Sequence, residues 1–131
     1  MMASTLKINT LTGVTTAGSI AVTGEGNSTT TNLQQGLCKV WLKFNFNDSS
    51  STGDDSFNVA SLTDSGTGDF TVNITNNFAN GNFAHLATSN DFHALNDSAN
   101  TTGTMNTSNY NSSNSATDVT RCYSAGMGDL A

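Results

Sequence analysis

The clearest pattern in this chain is a strict alternation of large apolar and polar positions from residue 38 to residue 46. Cys38, Val40, Leu42, Phe44 and Phe46 alternate with Lys39, Trp41, Lys43 and Asn45. A strand turns successive side chains to opposite faces, so this spacing predicts a half-buried β-strand. Trp41 falls on the lysine face, where it is either exposed or covered by a neighbouring subunit. Residues 54–74, DDSFNVASLTDSGTGDFTVNI, carry two further alternating runs. Phe57 and Val59 share one face of the first; Phe70, Val72 and Ile74 share one face of the second. Asp64, Gly66, Gly68 and Asp69 between them are residues that reverse a chain, so the stretch predicts an amphipathic hairpin. Residues 83–87 read as another strand that residues 92–95 extend, residues 119–123 as a further one, and residues 125–131 close the sheet. The expectation is an all-β chain: an antiparallel β-sandwich, jelly-roll-like, over residues 37–131. Its core is predicted to hold Val40, Leu42, Phe44, Phe57, Val59, Phe70, Val72, Ile74 and Phe83.

The pattern thins out on either side of this domain. In residues 1–36 the apolar positions Leu6, Ile8, Leu11, Val14, Ile20 and Val22 are isolated among Thr, Asn, Ser and Gly. They are too sparse to build a core, and an isolated hairpin is marginal in water. The segment is therefore expected to be an extended N-terminal arm that adds to another sheet or wraps with copies of itself. Very short strands are predicted at residues 6–8 and 20–22, and a short helical turn over residues 32–36. Residues 96–117, NDSANTTGTMNTSNYNSSNSAT, have only Met105 and Tyr110 as sizeable apolar groups. They predict an extended strand plus a long surface loop.

Composition supports strands over helices. Hydrophobic residues make up 35 % and charged residues 11 %, so the polarity comes from Asn, Ser, Thr and Gly. Ser, Thr and Asn compete with the helical backbone for hydrogen bonds, and few Lys, Glu or Arg residues remain to build solvated helix faces. The formal net charge is −6, with Lys7, Lys39, Lys43 and Arg121 the only Lys or Arg residues. Nucleic-acid binding needs clustered Lys and Arg, so no nucleic-acid partner is expected. An anionic membrane would repel the chain, and no apolar run approaches the roughly 20 residues of a spanning helix. The N-terminus lacks the apolar stretch of a secretory leader, so the chain is expected to be made and assembled in a cytoplasm.

Motifs for catalysis are absent: there is no GxSxG, P-loop or HExxH pattern. Cys38 and Cys122, without a CxxC, and His85 and His93 at unrelated spacings make a poor zinc signature, and the cysteines are expected to be two small thiols. Asp54, Asp55, Asp64 and Asp69 read as turn formers and His85 as a packed or interface histidine. No enzyme activity, cofactor or metal is expected.

Three stretches carry a family resemblance. The first is ASTLKINTLTGVTTAGSIAV from Ala3, continuing through TGEGNSTTTNLQQGL to Leu37. The second is Lys39, Val40 and Trp41, followed by Phe44 and residues 55–74. The third is the terminal GDLA. Together they resemble virion structural proteins of marine tailed bacteriophages, cyanophages in particular, that are described as tail fibres. Residues 96–117 depart from the pattern. The resemblance implies a non-enzymatic virion component, a short fibre or capsid-decoration subunit, assembled in the host cytoplasm. It would be held by an arm over residues 1–36 and partnered by itself, as a homotrimer, and by other virion proteins of capsid or tail. The alternative is a receptor-binding module for a host surface glycan. Any such contact is expected near residues 106–114, with Tyr110 as the group that stacks on a sugar.

Overall fold

A computed structural model gives the architecture over residues 5–13, 20–24, 29–46, 53–95 and 99–131, with residues 92–95 described by backbone only. Its elements are β1 (Ala21–Thr23), β2 (Thr30–Asn32), α1 (Leu33–Gly36), β3 (Cys38–Phe44), β4 (Asp55–Phe57), β5 (Val59–Gly66), β6 (Asp69–Ile74), β7 (Ala84–Ser89), β8 (Phe92–Leu95), β9 (Thr104–Tyr110) and β10 (Cys122–Met127). The protein is all-β with antiparallel pairing throughout. One four-stranded sheet runs β4-β3-β10-β7, a second runs β5-β6-β9-β8, and β1 and β2 pair separately.

The predicted alternation in β3 and β6 is what joins the two large sheets. Val40, Leu42 and Phe44 from β3 and Phe70, Val72 and Ile74 from β6 are all buried in one apolar cluster. Phe44 and Phe70 meet across the sheets with ring centroids 5.3 Å apart, and Phe46 closes the group edge-on to Phe70 at 4.6 Å. Val59 and Phe83 are only partly buried against this core.

Phe57 is a correction: it is 54 % exposed. The predicted run through Phe57 and Val59 is broken at Asn58, whose φ of 62° is left-handed. Asn tolerates that conformation. Asn58 also holds the corner in place. Its Nδ2 donates to the carbonyls of Lys39 and Asn76, and its Oδ1 accepts from the Asn76 backbone N–H at 2.8 Å. Phe57 thus ends β4 in one sheet, and Val59 starts β5 in the other.

The second half of the predicted hairpin is present as β5 and β6, joined at Thr67 and Gly68. Gly68 has φ +77°, and a Cβ there would lie 2.6 Å from the Asn109 carbonyl oxygen, so no other residue fits without strain. Its N–H donates to Asp118 Oδ1 at 2.6 Å.

Other expectations need revision. Residues 92–95 do not extend β7; they form β8, in the opposite sheet. Residues 119–121 precede β10, but Val119 is buried and its carbonyl accepts from the Phe46 N–H. Phe78, in a segment that reads as a turn, is 1 % exposed and stacks on Phe83 with centroids 4.1 Å apart. Its room comes from Gly126, where a Cβ would lie 2.9 Å from the Phe78 ring and 2.8 Å from Val40. The polar stretch around Met105 is β9, between β6 and β8, and Met105, Thr107 and Asn109 are buried. The turn after it is tight rather than long: Asn111 N–H donates to the Ser115 carbonyl at 2.9 Å. The short helical turn over residues 32–36 is present as α1, with Asn32 as its N-cap.

Candidate functional site

Antiparallel register aligns side chains into rows across a sheet, and on the outside of β4-β3-β10-β7 one such row is apolar. Phe57 pairs with Trp41, Trp41 with Ala125, and Ala125 with Leu86. The next row toward the other end of the sheet is Asp55, Lys43, Tyr123 and Thr88. Alternation dictates this arrangement: the inward partners in the same strands are Val40, Leu42 and Phe44 on β3, and Cys122, Ser124 and Gly126 on β10, all buried. Trp41, Tyr123, Phe57 and Leu86 are between 39 % and 55 % exposed. An open groove of about 380 Å³ lies among Trp41, Leu86, Thr88, Tyr123 and Ala125.

Trp and Tyr are over-represented at the centres of interfaces because they present large apolar area at small cost in side-chain freedom. Contiguous apolar area on a surface marks a contact site. The polar side-chain groups in the groove's lining are the Trp41 indole N–H and the Thr88 and Tyr123 hydroxyls, while Ser124 turns inward to the His85 ring, Oγ to Nε2 at 2.8 Å. At the sheet edge Lys43 and Asp54 form an ion pair at 2.8 Å. The hydrogen bond that Lys43 donates to Asp54, and the negative charge of that carboxylate, raise the Lys43 pKa.

The predicted arm residues lie elsewhere. Leu6 is 78 % exposed, and Ile8, Leu11 and Val22 are about half exposed. Ile20 is partly buried, and its carbonyl accepts from the Leu33 N–H. Val14 falls outside the described residues. The root of the arm is tied to the far end of the chain by Gln35 Nε2, which donates to Asp129 Oδ2 at 2.7 Å.

Tyr110 ends β9 on the opposite sheet, partly buried, and bridges to Ala116. It is not brought near Trp41 or Tyr123. Sequence reasoning singled out Trp41 on this face; Phe57, Leu86 and Tyr123 were not placed there, and only the register assembles the four.

His85 and Ser124 are buried together, with His85 Nδ1 3.4 Å from Asn100 Nδ2. A serine beside a histidine is a nucleophile pair only where substrate can reach it, and here Ser124 is 3 % exposed. Cys38 and Cys122 are both free thiols, Cys38 exposed and Cys122 buried. They pair with residues at opposite ends of β10 and β3, so they cannot meet. Burial pushes the Cys122 thiol up to about 12. Among the described residues no group of three or more His, Cys, Asp or Glu is placed to hold a metal ion. Of the aspartates read as turn formers, Asp64 acts as one: its Oδ1 accepts from the Gly66 N–H.

No protein-family model matches the chain, and no curated protein or solved structure matches it.

Proposed function

We propose that this chain is a non-enzymatic structural protein of a tailed-phage virion, a short fibre or capsid-decoration subunit held by its N-terminal arm. The carrying observation is the ordered resemblance over residues 3–37, 39–41, 55–74 and 128–131 to virion proteins of marine phages. Two features of the molecule are consistent with an assembling subunit: an arm whose Leu6, Ile8, Leu11 and Val22 stand in solvent, and a sheet face bearing Trp41, Tyr123, Phe57 and Leu86. The two layers are read as a β-sandwich. A jelly-roll-like order is kept as part of this reading, with β3-β4, β5-β6 and β8-β9 pairing within a sheet. The assembly is read as a homotrimer that also contacts other virion proteins, with neither nucleic acid nor membrane as partner.

The test is location. Gold-labelled antibody to the recombinant chain is applied to intact particles of the phage that encodes it, with peptide mass spectrometry of the same particles. Label at a fixed place on the particle supports the reading. Presence in infected-cell lysate but absence from purified particles overturns it.

A second reading is favoured by the exposed Trp41 and Tyr123: recognition of a host surface glycan through stacked aromatic rings. Soluble chain binding host polysaccharide, with loss of binding in Trp41→Ala, would establish it. Tyr110→Ala tests the contact expected from the sequence in the same assay.

A further inference from the structure

We infer that the apolar face of β4-β3-β10-β7 is the seat of residues 5–13 of a second copy of this chain. This deepens the proposed structural role, which takes the arm to join subunits, by naming the surface that receives it.

Among the described residues two apolar surfaces stand unpartnered, and the arm segment is long enough to cross the sheet face. Strands lie about 4.8 Å apart, so the row from Phe57 through Trp41 and Ala125 to Leu86 spans about 14 Å across the sheet. An extended chain advances about 3.3 Å per residue, so Leu6 to Leu11 spans about 17 Å. Leu6 and Ile8 fall on the same side of an extended backbone and can enter the groove beside Trp41 together. In the chain's own fold neither surface covers the other: Leu6 is 78 % exposed while the groove among Trp41, Leu86 and Tyr123 stays open.

Charge favours the arm over the alternative of two faces stacking on each other. Residues 37–131 carry three cations against nine aspartates, whereas residues 1–36 carry one of each sign, Lys7 and Glu25. Bringing two domains face to face would set −6 against −6, whereas residues 5–13 carry a single charge, Lys7, and bring a cation to a domain of net charge −6. An arm docking on the next subunit's face is a head-to-tail contact, which closes into a ring when the rotation permits.

Trp41 is the only tryptophan of the chain, so its fluorescence reports directly on whether the seat is filled. The experiment compares full-length protein with the full-length triple variant Leu6→Ser, Ile8→Ser, Leu11→Ser. Sedimentation and Trp41 emission are followed together over a dilution series. These three side chains are exposed, so the variant keeps its fold, which the far-UV spectrum checks. The expected result is an oligomer with short-wavelength Trp41 emission that shifts to longer wavelength on dilution. The triple variant is expected to raise the midpoint of association by at least about tenfold. Trp41→Ser with the arm intact should weaken association equally.

Three outcomes overturn the inference. One is an oligomer unaffected by the arm variant. A second is a monomer at all concentrations with Trp41 exposed. A third is a monomer whose Trp41 is shielded by its own arm, independent of dilution. None of these bears on particle location, so gold labelling of the virion still decides the structural role separately.

Discussion

On the outside of β5-β6-β9-β8, polar side chains satisfy one another. Thr71 donates to Asn106 Oδ1 at 2.7 Å, and Asn73 Nδ2 donates to Ser61 Oγ and Thr63 Oγ1 at 3.0 Å each. On the outside of β4-β3-β10-β7, the corresponding positions are Phe57, Trp41, Leu86 and Tyr123, four large groups that touch water. The two sheets share one core and the same antiparallel pairing, so their inner faces are nearly equivalent. Their outer faces differ in what each would gain from a partner. A hydrogen-bonded polar face gains little from being covered, because its bonds are already made. An apolar face gains in proportion to the area removed from water, at roughly 25 cal/mol per Å². The difference makes the face of β4-β3-β10-β7 the one with more to gain from being covered.

The comparison presumes that both outer faces are built on a common interior, and the largest expected effect tests that. Phe70→Ala removes the ring that Phe44 and Phe46 pack against across the layers. It should cost about 3–5 kcal/mol in urea unfolding, with probes on both sheets losing structure in one transition. Separate transitions would mean that the sheets are independent and their faces cannot be compared as two sides of one unit.

Next in size is Gly68→Ala, at the turn of the β5-β6 hairpin. A positive φ and a Cβ 2.6 Å from the Asn109 carbonyl oxygen should together cost about 1–3 kcal/mol. Because the damage lies at the edge of the polar sheet, thermal unfolding should shift while Trp41 emission in the folded state stays the same.

Cys122 gives a pH test of the interior beneath the apolar face. Its folded pKa, about 12, lies above the ordinary thiol value of 9.0. The folded state therefore holds its proton where the unfolded state has lost it. This stability is fully present below about pH 9 and is lost as pH rises from there toward 12, at about 1.4 kcal/mol per pH unit. Cys122→Ala should flatten that part of the stability curve. A thiol reagent at pH 8 should label Cys38 promptly and Cys122 only on unfolding.

The smallest effects sharpen the contrast itself. Asn73→Ala leaves Ser61 and Thr63 without their shared donor and should cost about 1 kcal/mol of monomer stability without altering association. Trp41→Ser should change monomer stability by less than about 0.5 kcal/mol, because the ring is already in water on one side. Sedimentation, and not the unfolding curve, is where its effect should appear. Equal behaviour of the two variants in both assays would remove the distinction between the faces.

Much of the fold was legible in the chain because period-two alternation is a local property. Val40, Leu42 and Phe44, then Phe70, Val72 and Ile74, declare a strand and its buried side without reference to anything distant. The hairpin turn at Thr67 and Gly68 was equally local. Phe57 was not legible, because its side depends on the left-handed corner at Asn58, which passes the chain from one sheet to the other. Phe78 read as part of a turn because its burial requires Gly126, 48 positions along the chain, to leave room for the ring. β9 was obscured by its polarity. A strand of Thr, Asn and Ser can occupy the middle of a sheet when its inward groups find partners, as Asn109 Oδ1 does in accepting from Ser89 Oγ at 2.6 Å.

By itself, then, the sequence determined the all-β class, the main inward-facing residues of β3 and β6, a stretch over residues 1–36 too sparse in apolar groups to pack alone, and the absence of known catalytic motifs. Tertiary structure alone decided which strands became neighbours. That choice sets β4, β3, β10 and β7 side by side and brings Phe57, Trp41 and Leu86 from three separate parts of the chain into one row. The reason is physical: alternation fixes the side of a strand to which a residue points, but pairing between strands is a long-range contact, and only register places one strand's outward residue beside another's.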